Sequence, residues 1–310
     1  MLDVALLRTA RDWLTKKRLF VVVIVTNSWG SSPRQKGAIM LVSQQGEMAG
    51  SVSGGCVEAE VIDHSLACLS QNQMKALEFT VSDERAWSQG LSCGGTMTLL
   101  CLPVNEDFFS PSVIDKIASM ADDRQSGVLE ISSQGKADLQ IKPRHDALAS
   151  FTITPTRQLF IIGASHIAQS LAPMAIEAGY LVHIIDPRSD FLTKERFRKG
   201  HLLNGWPSDH LQADDLDSHS ALVTLTHNPV IDDDALAIGL LSKAFYIAAL
   251  GSRKTHAKRL ARLGEAGHQH LDRLKGPAGF AIGAATPAEI AVSILAEMIS
   301  YYRDDQKANK

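Results

Sequence analysis

Apolar residues recur at helical spacing from the start of the chain. Val4, Leu7 and Leu14 lie among Arg and Lys within residues 3–17, and the pattern ends in the basic pair Lys16 and Lys17, which predicts an amphipathic first helix. The run LFVVVIVT (19–26) follows; it is far shorter than the ~20 residues a membrane span needs and reads as a strand. A polar loop, NSWGSSPRQKG (27–37), leads to a second strand, AIMLVS (38–43), and a Gln-Gln-Gly turn leads to a third strand entering Gly50 to Val52. After Ser53-Gly54-Gly55 the period changes. Val57, Val61, Ile62, Leu66 and Leu69 share one helical face, which places Cys56 in the first turn of a helix. LEFTV (77–81) and TMTLLCLPV (96–104) predict further strands, 113–120 a helix and 127–142 a hairpin.

The Thr- and Pro-containing stretch 150–157 precedes an abrupt change to alternating strands and helices, so a boundary is expected at about residue 150, dividing the chain into domains 1–150 and 151–310. The second half reads as strand RQLFIIG, helix 165–178, strand LVHIID, a basic loop, strand ALVTLT, helix 232–242, strand FYIAAL, helix 254–265 and a last helix 287–302. Thr286, Pro287 and Glu289 form a capping box at the start of that last helix. The expected architecture is α/β: a small mixed α/β N-terminal domain followed by a Rossmann-like, doubly wound parallel sheet.

The 310 residues are 45% hydrophobic and 21% charged, an ordinary globular balance, and a formal charge of −3 leaves no basic stripe for nucleic acid and no polybasic arm for a membrane. Four cysteines, with neither a CxxC pair nor a secretory leader, point to reduced thiols in the cytoplasm.

Two of those cysteines sit beside Gly-Gly, Cys56 in GSVSGGCVE and Cys93 in GLSCGG. Glycine lets a ligand approach the backbone, and unpaired amides at a helix start would favour a Cys56 thiolate as nucleophile or soft-metal ligand. A small buried residue under a glycine turn accounts for the same pattern equally well. Cys68 and Cys101, among leucines, read as core. Glu58 and Glu60 add acceptors near Cys56, and also read as an ordinary acidic first turn. In the 27–37 loop, Ser32 and Arg34 suit a phosphate or carboxylate, against the plainer reading of solvated loop.

FIIGASHIAQSLA followed by HIIDPR has the layout of a dinucleotide fingerprint, with Gly163 at the tight turn and Asp186 about 20 residues on, where a ribose hydroxyl would bind. Ser165 stands where a glycine would admit a pyrophosphate, so NAD binding is expected to be weak or absent. His166 and Arg188 flank this turn, while His227 and the Gly251-Ser252-Arg253 turn follow later strands at the sheet's ligand-binding edge. Asp232, Asp233 and Asp234 read as charges at a helix start.

With these segments in order, the chain resembles the XdhC/CoxI family of accessory proteins for molybdenum hydroxylases such as xanthine dehydrogenase. GSSPRQKGAIMLV and GSVSGGCVE carry the resemblance in the first half, and LFIIGASHIAQSLAPMA, IIDPR, LGSRKTHAKRL and GPAGFAIGAATPAEIAVSILAEM carry it in the second. The Gly-Gly-Cys form looks more like the CoxI-type branch than the branch with His after Gly-Gly. The resemblance implies a chaperone rather than a turnover enzyme. Such a protein binds the molybdenum cofactor, in its molybdopterin or cytosine dinucleotide form, supports its sulfuration and inserts it into the apo-form of the hydroxylase. It also implies Cys56 and Cys93 as catalytic residues or molybdenum ligands, with Ser32, Arg34, Ser53, Gly54, Gly55, Gly94, Gly163, Ser165, His166, Asp186, Arg188, His227, Gly251 and Arg253 around the cofactor. A cysteine desulfurase partner and a homodimer belong to the same expectation. Two other classes compete: an NAD-dependent oxidoreductase built on the second half, and a purely structural scaffold with unreactive cysteines.

Overall fold

The computed structural model describes residues 2–30, 34–81, 95–143 and 146–308. Ser32, Cys93 and Gly94, all singled out above, lie outside the described residues. The chain divides into two compact units, Met1–Pro155 and Thr156–Lys310.

The first unit is built on a five-stranded antiparallel sheet, ordered β3-β2-β1-β5-β4, from β1 (Phe20–Gly30), β2 (Ile39–Ser43), β3 (Met48–Gly50), β4 (Lys75–Val81) and β5 (Gly95–Pro103). Strand β1 shows why the run 19–26 is apolar throughout: Phe20, Val22 and Ile24 join one core, and Val21, Val23 and Val25 join the other. Side chains alternate across a pleated strand, so a central strand covered on both faces has no polar side. Helix α2 (Glu58–Gln71) covers the second core. The first core takes in α1 (Val4–Thr15), α3 (Pro111–Asp122) and a three-stranded antiparallel sheet, β7-β6-β8, from β6 (Gly127–Ile131), β7 (Ala137–Gln140) and β8 (Ala149–Ile153). Strand β8 occupies part of the stretch read above as an interdomain segment. Phe151 and Ile153 are buried in the core, so the first unit runs on to Pro155.

The second unit is a six-stranded parallel sheet in the order β11-β10-β9-β12-β13-β14. Its strands are β9 (Gln158–Ile162), β10 (Leu181–Asp186), β11 (His201–Asn204), β12 (Ser220–Thr224), β13 (Tyr246–Ala249) and β14 (Leu274–Lys275). Helices α4 (His166–Glu177) and α7 (Pro287–Ala308) bury Ile167, Leu171, Ile294 and Met298 against one face, while α5 (Pro229–Leu241) and α6 (Arg253–Glu265) bury Ile231, Leu236 and Leu263 against the other. This is the doubly wound α/β arrangement expected, with the strand reversal between β9 and β12. The predicted capping box is present, with Thr286 Oγ1 accepting from Glu289 N and Glu289 Oε2 accepting from Thr286 N. Strand β11 falls in the segment read as a basic loop; four residues without a fully buried position carry no period-two signal.

Candidate functional site

The glycine-cysteine segment Ser51–Val57 folds around one carboxylate. Glu58 is buried, and its Oε1 accepts from Ser51 Oγ at 2.6 Å and from the amides of Val52, Ser53 and Gly54 at 3.2, 2.9 and 3.1 Å. Its Oε2 accepts from Ser53 Oγ and from the amides of Gly55 and Val57 at 2.9 and 3.2 Å. Burial alone would raise the Glu58 pKa, but the hydroxyls of Ser51 and Ser53 and the backbone donors outweigh it and hold the carboxyl at about 2. Ser53 Oγ in turn accepts from the amides of Cys56 and Val57 at 2.9 and 3.1 Å.

Two expectations are corrected here. Cys56 lies two residues before α2, whose N-cap is Val57. The amides of Cys56 and Val57, expected to be unpaired around the thiol, are taken up by Ser53 and Glu58. What the loop does provide is exposure: Gly54 and Gly55 have φ of +85° and +120°, with Gly54 and Gly55 both exposed, a Cβ added to Gly55 would meet nothing within 4 Å, and Cys56 is half-buried. A side chain other than hydrogen is strained at such φ. Arg34 reaches the same loop, donating from Nε to Ser51 O at 3.0 Å and from Nη2 to Asp3 Oδ2 at 3.2 Å. The structure thus brings together Arg34, Ser53, Gly54, Gly55 and Cys56. Cys68 and Cys101 are buried in the core below; the hydrogen bond with Cys68 and burial push the Cys101 thiol up, which keeps it protonated.

In the second unit Gly163 adopts φ +103°, and a Cβ there would come within 2.6 Å of Thr226 Cγ2 and 3.0 Å of Thr226 N. The glycine therefore allows β9 to end against the residues that follow β12. Ser165 is the N-cap of α4, its Oγ accepting from Ala168 N at 3.3 Å. Asp186 is fully buried: Oδ2 accepts from Ala164 N and Arg188 Nη2, both at 2.7 Å, and Oδ1 accepts from Arg188 N and Nε, both at 2.9 Å. Burial would raise the Asp186 pKa, yet the bonds from Arg188 and Ala164 hold it below the usual carboxylate range. A ribose hydroxyl would have to displace Arg188 to reach this carboxylate. The Arg188 guanidinium also lies 4.5 Å from the Phe191 ring centroid, and His166 is exposed beside the turn. Gly163, Ser165, His166, Asp186 and Arg188 therefore form one cluster.

His227 belongs to another. It takes φ +60° after β12 and lines a cavity of about 310 Å³ with Lys254, Lys258, Arg259 and Arg262 of α6 and with Asp232. Gly251 and Arg253 do not line it; Ser252 caps α6, its Oγ accepting from Thr255 N at 3.1 Å. The three aspartates do more than charge a helix start: Asp232 is buried and accepts from Thr226 Oγ1 at 2.7 Å, Asp233 pairs with both Nε and Nη2 of Arg262, and Asp234 accepts from Ser208 N. The residues missed from sequence are the central role of Glu58 and the α6 cations. Lys254, Lys258 and Arg262 stand at helical i, i+4, i+8 spacing, a signal that was available.

Among the described residues no group of three or more His, Cys, Asp or Glu gathers as a metal site, and no helix is long and apolar enough to cross a membrane.

Both units match known protein families. The model for the XdhC and CoxI family matches residues 13–80, and the model for the XdhC Rossmann domain matches 159–298. The chain belongs to the XdhC and CoxI family. It is 27% identical to the uncharacterized protein YqeB of Escherichia coli over 90% of this chain, and spans only 43% of that protein's length. It is 26% identical to a protein of Bacillus subtilis named as a probable xanthine dehydrogenase component, covering 90% of this chain and 92% of that one. It is also 26% identical to the molybdenum cofactor insertion chaperone PaoD of Escherichia coli, covering 95% and 87%. A crystal structure titled as a xanthine dehydrogenase from Bacillus halodurans shares the fold, with a TM-score of 0.83 at 24% identity over 100% of this chain and 98% of that one.

Proposed function

We propose that this protein is a maturation factor that binds the molybdenum cofactor, supports provision of its terminal sulfur and inserts it into the apo-form of a molybdenum hydroxylase of the xanthine dehydrogenase type. The relative PaoD, named as a molybdenum cofactor insertion chaperone, supports the general role. The observation that carries it to particular residues is the half-buried Cys56 thiol next to an open Gly54-Gly55 backbone held rigid by Glu58. These residues fit such a cargo. A soft thiol with no ligand cluster around it among the described residues suits a metal that arrives already held by its organic ligand. Bound cofactor supplies the molybdenum centre that the client enzyme uses. Cys56 faces that centre or carries its sulfur, Arg34 meets the phosphate end, and the glycines admit the ligand to the backbone. Cys93, a cysteine desulfurase and a second copy of the chain complete the proposal.

The test is purification from a host that makes the cofactor, followed by oxidation and pterin fluorescence. Wild type is expected to carry pterin and Cys56→Ala to lose most of it at unchanged thermal midpoint. Pterin-free wild type, or equal retention by Cys56→Ala, overturns the reading.

A further inference from the structure

The basic cavity between α5 and α6 has no part in the thiol-loop reading and does not rest on it. Its floor is Arg259, whose side chain is only 5% exposed. Nη2 of Arg259 donates to Leu250 O at 2.9 Å and stands 3.6 Å from Asp232 Oδ2, while Nε and Nη1 are buried without an acceptor among the described residues. Buried donors are almost always satisfied, and Arg259, which lines the cavity, keeps two nitrogens unmatched among the described residues, which points to an acceptor there. Around it stand Lys254 and Lys258, one turn apart on α6, together with His227 and Arg262.

The balance of charge favours an anion. Among the residues lining the cavity Asp232 is the one carboxylate, and its charge is set against Arg259 at 3.6 Å; Asp233 neutralises Arg262. Lys254 and Lys258 remain as the uncompensated charges, beside the two unmatched donors of Arg259. Three cationic groups converging from one helix match a tetrahedral dianion, which accepts from several directions at once, better than a planar carboxylate, which one Arg satisfies. The first turn of α6, capped by Ser252, adds its dipole to the same side. A cavity of about 310 Å³ is large enough for a phosphate with a small organic group attached.

We propose that this cavity binds a phosphate group, either free phosphate or the phosphate of a small ester, with Arg259 as the buried anchor and Lys254 and Lys258 closing over it.

Inorganic phosphate, pyrophosphate and cytidine monophosphate are titrated into the full chain by calorimetry at low salt. At least one is expected to bind, and the double variant Lys254→Ala/Lys258→Ala to bind it at least about tenfold more weakly at unchanged thermal midpoint, since both lysines are exposed. Arg259→Lys keeps the charge and is expected to weaken binding through loss of the planar fork. Tighter binding of the monophosphate identifies an ester as ligand, and equal binding identifies phosphate itself. No binding by any of the three probes, or equal binding by the double lysine variant, overturns the proposal. Cys56→Ala is expected to titrate like wild type, so failure here and failure of the cofactor reading are separate results.

Discussion

The thiol loop and the α6 cavity dispose of their donors in opposite ways. Around Glu58 every amide from Val52 to Gly55 is turned inward onto one carboxylate, leaving an exterior of bare glycine and one thiol. Arg259, which lines a cavity, keeps two donors unmatched among the described residues. The first arrangement fixes a backbone and delegates chemistry to sulfur; the second keeps electrostatic potential in reserve for something that arrives. Helix starts are easily read as anion sites, and this pair shows that the decisive question is where the donors point.

The sharpest way to break the comparison is Glu58→Ala. Removing the acceptor strands the buried amides of Val52 and Ser53, each worth roughly 1–3 kcal/mol, and releases three part-buried ones, so a loss on the order of 3–5 kcal/mol and a thermal midpoint lower by about 10 °C are expected. A midpoint within a degree or two of wild type would show that the loop does not depend on this carboxylate.

Acid probes the same bond network more gently. With a folded pKa of about 2 against an ordinary 4.5, Glu58 contributes stability above about pH 4.5 that is lost as the pH falls towards 2. The contribution is on the order of 2 kcal/mol once solvent screening is allowed for. Denaturant midpoints of wild type and Glu58→Gln measured from pH 6 to pH 3 are expected to converge; parallel curves would contradict the assignment.

Cys68→Ala sharpens the contrast between the thiols. It opens a small space in the core and is expected to cost about 1 kcal/mol, read as a denaturant midpoint shift, without selective loss of pterin. Equal pterin loss in Cys68→Ala and Cys56→Ala would remove the special standing of the loop thiol.

The smallest effect concerns NAD. Ser165 caps α4 and Asp186 is occupied by Arg188, so calorimetry is expected to show no binding of NAD below millimolar concentration. Low-micromolar affinity with substrate-dependent reduction would instead support an oxidoreductase.

Much of this fold is legible in the sequence alone. The unbroken apolar run of β1 and the strand-helix alternation after residue 157 both reflect burial, which periodicity records directly. Strand β8 is hidden because its Thr and Pro neighbours imitate a linker, and β11 because an edge strand of four residues buries too little to leave a pattern. Of the site, the Gly-Gly-Cys segment is legible as a place of close approach. Glu58 reads as an acidic first turn, since nothing in a sequence tells a carboxylate facing solvent from one that bends back to collect five amides. The buried Arg259 escapes notice for a related reason: arginine is rarely inside, and only the packing of α5 against α6 puts it there.

Because the amides on both sides of Cys56 are tied down, the Cys56 Cα is a fixed pivot and rotation about Cα–Cβ is the main freedom left to its sulfur. A group attached there swings on a short, known radius. Cys56 is in effect a calibrated arm: maleimides of graded length would report how far the surrounding surface stands back from it, measuring the berth the protein keeps for its cargo.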